Sequence, residues 1–321
     1  MSVLITGGLG HVGSWVAHEL ARAGKKVIIC DAAAGQFDRM AIDYLHEVRD
    51  NLVLEAVDIL DFHTLFEVVN RHAADLEGII HGVALIAGPT FQLRPYRNIS
   101  INTMGTLNVF EIARILRIPK VVNLSSGAVY GDAAGGQTEE TPYKATDLYG
   151  ATKIANELFG LQYTDTYGMD VRNARLYFVY GPGKLPSHMH LVYQAMFGPL
   201  EGIDNIDAPN GAEQALDWTH VRDTARGIVS LFRKDTVVSR NFNISSGVPV
   251  HHRDIIRLVA EVTGRESNVT LGPGPFVVRG APLDISRARE ELGFEPEFTD
   301  MRAGISDYRD WLEKVRGRNV S

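Results

Sequence analysis

The chain has 321 residues, with 32 Lys plus Arg against 39 Asp plus Glu and a net charge of −7; 45% of its residues are hydrophobic and 22% charged. That mix excludes a disordered chain, which is poorer in apolar residues. A pI near 5.9 argues against a nucleic-acid binder, because it offers a phosphate backbone no general attraction.

The N-terminus runs through Val3-Leu4-Ile5 straight into glycines, with no basic stretch and no long apolar one, so no signal peptide is expected. No apolar run approaches the roughly 18 residues that span a bilayer. Residues 3–5 predict a strand and 11–23 an amphipathic helix. Between them lies Thr6-Gly7-Gly8-Leu9-Gly10-His11-Val12-Gly13. In that context Gly7 permits the tight turn, and Gly10 lets backbone N–H groups approach a pyrophosphate at the helix N-terminus. Gly13 allows close helix–sheet packing.

Lys26–Cys30 is the next strand. Cys30 is the single cysteine, so neither an internal disulfide nor a Cys-rich zinc site is available; a buried inert thiol in a reducing cytoplasm is expected. Asp31 ends this strand, 18 residues after Gly13. A carboxylate there accepts hydrogen bonds from ribose hydroxyls and repels a 2′-phosphate, and Ala32-Ala33-Ala34 supply no cation for one, which favours NAD. A turn cap is the plainer alternative. A strand over 52–57 precedes Asp58 and Ile59, where an adenine contact and a helix cap fit the spacing equally well. Phe62–His72 predicts a helix, 78–84 and 121–125 buried strands, and 103–117 and 149–167 helices. Short apolar strands alternating with helices imply a parallel, doubly wound α/β sheet covered on both faces.

Tyr149 and Lys153 stand four residues apart, one turn along a helix face. Ser126 lies just beyond the strand that ends at Leu124-Ser125. A phenol with a pKa of ~10 becomes a usable base when a lysine ammonium favours its phenolate, and a serine hydroxyl can hold the same substrate oxygen. Past residue 181 the breakers Gly181-Pro182-Gly183, Gly198-Pro199 and Gly272-Pro273-Gly274-Pro275 loosen the pattern. Helices over 253–263, Ser286–Leu292 and 302–315 follow. The expected division is a dinucleotide-binding part over 1–181, joined again by 213–243, and a smaller interleaved α/β substrate lobe over 182–321.

With further pieces, the sequence resembles the extended short-chain dehydrogenases, the NAD-dependent epimerase/dehydratase family. These pieces are Asn102-Thr103-Met104-Gly105-Thr106-Leu107-Asn108, Arg175 leading to Val179-Tyr180-Gly181-Pro182-Gly183, Asp217-Trp218-Thr219-His220-Val221-Arg222-Asp223, and Leu292-Gly293-Phe294-Glu295-Pro296. The resemblance spans essentially the whole chain. It implies that Ser126, Tyr149 and Lys153 match the catalytic triad. It also implies NAD contacts from Gly7, Gly10, His11, Val12, Gly13, Asp31, Asp58, Ile59, Val83, Tyr149, Lys153 and Val179. A homodimer through the helices at 103–117 and 149–167 is a further implication.

The departures bear on substrate. Gly127 and Ala128 stand where family dehydratases and decarboxylases place acidic residues, which argues against those reactions. Leu216 stands where nucleotide-sugar members carry a diphosphate-pairing Arg, and Phe178 where they often carry Asn. The loss of one guanidinium fork removes roughly 1.5–3 kcal/mol. Arg279 lies where family members often bind phosphate, and His188 in the family's substrate loop. Metal binding by His188, His190, His251 or His252 is not expected without clustered Cys or carboxylates. His81, at the end of a strand, is read as a core or cofactor-edge histidine. The expected function is NAD-dependent hydride transfer from a secondary alcohol of a small sugar-like or polyhydroxylated substrate. The alternatives are a nucleotide-sugar 4-epimerase with tightly held NAD and, from another class, a nonenzymatic dinucleotide sensor.

Overall fold

The computed structural model describes residues 1–39, 42–86, 93–133, 135–184, 191–266, 268–277 and 282–318. Its centre is a seven-stranded sheet built from β1 (Ser2–Thr6), β2 (Lys26–Cys30), β3 (Leu52–Glu55), β4 (Leu76–His81), β5 (Lys120–Ser126), β6 (Asp170–Leu176) and β11 (Asn241–Ile244). The spatial order is β11-β6-β5-β4-β1-β2-β3, and every pairing is parallel. The expected doubly wound sheet is therefore present. Its strand order reverses between β1 and β4, the place where such sheets bind ligands beyond their carboxyl ends.

The sequence explains both faces. Side chains alternate along a strand, so Val3, Ile5, Val27 and Ile29 enter one core and Leu4, Ile28 and Cys30 the other. The first core is closed by α1 (His11–Arg22) and α8 (Val221–Arg233). The second is closed by α3 (Phe62–His72) and α5 (Gly105–Ile115). Cys30 is buried and free, and burial pushes its thiol up to about 12.

The boundaries differ from expectation in informative places. β4 stops at His81, because the backbone of Val83 turns against the glycine loop: a Cβ on Gly7 would sit 3.0 Å from its nitrogen. The helix expected over 103–117 is a π-helical turn, Ser100–Met104, followed by α5. Its C-terminal end falls earlier, with Arg117 at φ +52. β6, β11 and α8 are absent from the sequence reading. The short helices α2 (Asp43–His46) and α4 (Pro95–Ile99) also lie in the first half, and α6 (Leu148–Tyr167) flanks β5 and β6.

Small sheets outside the central one pair β7 (Val179–Tyr180) with β10 (Thr219–His220), β8 (Ile206–Ala208) with β13 (Val269–Leu271), and β9 (Ala215–Asp217) with β12 (Pro249–His251). With α7 (Leu191–Phe197), α9 (His252–Thr263) and α11 (Met301–Arg318) they enclose a third core around Trp218, Phe197, Ile255 and Tyr308. α10 (Ser286–Leu292) packs back on β11. Among the described residues no helix is long and apolar enough to cross a membrane.

Candidate active site

The glycine loop occupies the switch point. Gly7 has φ +71, a conformation that costs L side chains strain. A Cβ on Gly13 would collide with the carbonyl oxygen of Gly7, so no other residue fits. Gly10 caps α1, leaving the first backbone N–H groups of the helix without intrahelical partners. Those amides and the side-chain-free cradle fit an NAD pyrophosphate, which helix N-termini favour by their dipole. His11 donates from Nε2 to the Gly181 carbonyl at 3.1 Å, and Trp15 donates to that of Pro182 at 2.9 Å. The turn after β7, and with it Val179, is thus clamped to α1. Burial, followed by the charge of Lys184, holds the His11 pKa well below its ordinary value.

The Asp31 carboxylate accepts from the backbone N–H of Leu9 at 3.1 Å and of Ala33 at 2.9 Å. It is therefore a turn cap as well as a ribose candidate, since each oxygen keeps a lone pair. NAD is expected to bind at least tenfold tighter than NADP, about 1.4 kcal/mol. Asp31→Ala should narrow that gap in a titration, and equal affinities in the wild type would remove Asp31 from the role. Asp58 caps its own turn through the Leu60 N–H at 2.9 Å. Ile59 is buried against Gly105, and its carbonyl accepts from Asn108 at 2.9 Å, which holds this turn on α5.

Three of the site residues converge on β5. Asp147 caps α6 through the Gly150 N–H at 2.6 Å. Gly150 lies so close to the turn after Ser126 that a Cβ there would be 2.7 Å from the Ala128 carbonyl. Tyr149 is thereby set beside the end of β5. Lys153 is 4% exposed; its Nζ donates to the Leu124 carbonyl at 2.7 Å and lies 5.8 Å from the centre of the Tyr149 ring. Burial drives its pKa down to about 8, with Glu157 opposing. Ser126 accepts from the Ala128 N–H at 3.1 Å, which leaves its hydroxyl proton to donate. Gly127 carries no carboxylate and has no room for one: a Cβ would strike the Tyr177 ring.

His81 is a satisfied core histidine. Thr106 donates to the Asn102 carbonyl at 2.6 Å, so it accepts from His81 Nε2 at 2.9 Å, and His81 Nδ1 accepts from Thr6 at 2.7 Å. Asn102 and Asn156 extend this network to α6. Sequence reasoning missed these links, and it missed Glu157.

The proposed substrate residues fare differently. Phe178 has φ +34, a strained conformation for a bulky residue, and its ring lies 4.6 Å from Tyr177 and 5.3 Å from Trp218. Leu216, expected on the substrate wall, is instead a packing residue. It is 1% exposed inside the third core, paired through β9 with Val250. His188 and Arg279 lie outside the described residues. Among the described residues no cluster of His, Cys, Asp or Glu could hold a metal ion.

A glycine loop at the switch point of a parallel sheet, with an acidic end to its second strand, defines a dinucleotide-binding protein. The chain belongs to the NAD dependent epimerase/dehydratase family, whose sequence model matches residues 3–245. It is 27% identical over 335 residues to a UDP-glucose 4-epimerase of Lacticaseibacillus casei, covering 98% of this chain and 97% of the relative. The crystal structure of a UDP-glucose 4-epimerase from Thermotoga maritima with UDP-glucose superposes with a TM-score of 0.85 at 24% identity, covering 98% of this chain and 100% of that one. A dTDP-glucose 4,6-dehydratase of Streptomyces venezuelae, crystallised with NAD, gives a TM-score of 0.85 at 23% identity over 99% and 98% of the chains.

Proposed function

We propose that this protein transfers a hydride between NAD and a secondary alcohol of a sugar-like substrate, with Tyr149 as the acid/base. The observation that supports it is the docking of α6 on the end of β5, which sets Tyr149 and Lys153 beside the strand carrying Ser126. A free phenol ionises near pH ~10 and is a poor base at neutrality. The neighbouring ammonium favours the phenolate, which then takes the substrate hydroxyl proton while the carbinol carbon gives up its hydride. Ser126 holds that same oxygen by donating its own proton. NAD, when bound, supplies the hydride acceptor. The absence of a carboxylate beside Ser126 weighs against dehydration.

The sequence favours net dehydrogenation, since the position before Asp217 is the core-packed Leu216 rather than a diphosphate-pairing Arg, and Phe178 stands where nucleotide-sugar members often carry Asn. The full-length relatives favour a second outcome of the same chemistry, 4-epimerisation of a nucleotide sugar, in which the hydride returns to the opposite face of a keto sugar. NAD-loaded protein offered UDP-glucose, UDP-glucuronate, free sugars and sugar acids separates the two. A dehydrogenase accumulates the absorbance of reduced cofactor, whereas an epimerase interconverts sugars without it. Silence across the panel from protein that binds NAD would revive the nonenzymatic sensor as an alternative.

The assembly we infer is a C2 dimer. Met104, Ile115, Leu148, Leu158 and Tyr167 on and beside α5 and α6 are about half exposed, an apolar surface suited to a four-helix interface. Light scattering at micromolar concentration should give twice the chain mass, and a monomer would reject the dimer.

A further inference from the structure

Glu157 lies one turn past Lys153 on α6 and is 0% exposed. Its carboxylate accepts from Arg175 Nε at 3.0 Å and Nη2 at 2.7 Å, from the Tyr143 hydroxyl at 2.9 Å, and from the hydroxyl of Ser125. Arg175, 1% exposed on β6, also donates to the Tyr130 hydroxyl at 2.7 Å and the Glu139 carbonyl at 3.1 Å. Such a buried pair is weak evidence for stability, because packed apolar side chains often serve as well. Its position is what matters. Ser125 directly precedes Ser126, and Leu124 gives its carbonyl to Lys153. The carboxylate fastens the last residues of β5 to the helix face that carries Tyr149 and Lys153.

We propose that Glu157 is a positioning residue of the hydride-transfer site, holding Ser126 and Tyr149 in register and keeping Lys153 an ammonium. The proposal rests on the reading of Tyr149 as acid/base. The surrounding groups leave that task to Glu157. From β4, His81 faces Lys153 as a neutral ring, its pKa pushed down to about 3 by burial. Tyr130 and Tyr143 stay phenols, pushed up to about 12 by burial. The Glu139 carboxylate is turned to the Asn243 N–H at 2.7 Å and to Arg287 at 3.8 Å. Arg175 on β6 is the cation paired with Glu157, and it does not relieve the burial of Lys153.

The test reads the ionisation of Tyr149 directly, as the tyrosinate absorbance of each protein minus that of its Tyr149→Phe counterpart. Glu157→Gln removes the charge and lets Lys153 lose its proton at lower pH, so the Tyr149 ionisation should rise by about one unit, the low end of what an opposite charge supplies. Glu157→Asp keeps the charge and should restore most of the wild-type value, which a purely structural role would not do. Should Glu157→Gln fail to fold around an unpaired Arg175, the double variant with Arg175→Met removes both charges and should show a rise in the same direction, smaller because no unpaired guanidinium is left behind. An unmoved ionisation in either folded protein overturns the proposal. If Tyr149→Phe abolishes turnover while the Glu157 variants titrate like wild type, this proposal alone falls. If Tyr149→Phe turns over normally, the underlying reading falls.

Discussion

Tyr149→Phe should bind NAD nearly as the wild type does and turn over at least about 100-fold more slowly, the usual loss when general acid–base catalysis is removed. The substitution keeps the ring beside Lys153 and deletes only the oxygen proposed to exchange a proton with substrate. The glycine loop and Asp31, proposed to hold the dinucleotide, are built from β1, α1 and the end of β2 and do not depend on that oxygen. Stopped-flow or steady-state measurement of cofactor reduction, alongside calorimetric NAD binding, checks both halves. Turnover within a few-fold of wild type would mean that another group moves the proton.

The part of the site made from local pattern was legible in the sequence. Gly7, Gly10 and Gly13 sit between an apolar strand and an amphipathic helix, and the requirement for each is a backbone property that residue type reveals. The four-residue spacing of Tyr149 and Lys153 was equally plain. β6 was not legible, because its residues Arg172, Asn173 and Arg175 are buried polar groups that break any apolar run. Their partners come from far along the chain. Arg172 donates to the carbonyls of Leu231 and Lys234, and Arg175 pairs with Glu157. No periodicity encodes such pairings. α8, by contrast, shows its period openly in Val221, Ala225, Ile228, Val229 and Phe232, all buried; the sequence reading stops at the 217–223 motif, which covers only its first turn. Leu216 marks the opposite failure. Its place in a motif argued for a substrate contact, while burial in a strand pair gives it a packing role.

That burial sharpens the second large prediction. UDP and dTDP should bind the NAD-loaded wild type weakly, with a Kd around or above ~1 mM, about −4 kcal/mol. A diphosphate carries charges that must be paired when they leave water. The chain's net charge of −7 gives no long-range attraction, and the apolar Leu216 and Phe178 supply no counter-charge. Leu216→Arg then has a two-sided outcome. A guanidinium placed in a 1% exposed site is desolvated without a partner, so the free variant should melt at a lower temperature. If the side chain reaches the place of a bound diphosphate, UDP should restore part of that loss by mass action and bind more tightly than to wild type. Thermal shift with and without UDP, together with calorimetry, reads both effects. Micromolar UDP affinity for the wild type would overturn the argument. The counter-charge would then come from another residue, with Arg279 the one the sequence offers, and 4-epimerisation would become the leading reading of the same Tyr149 chemistry.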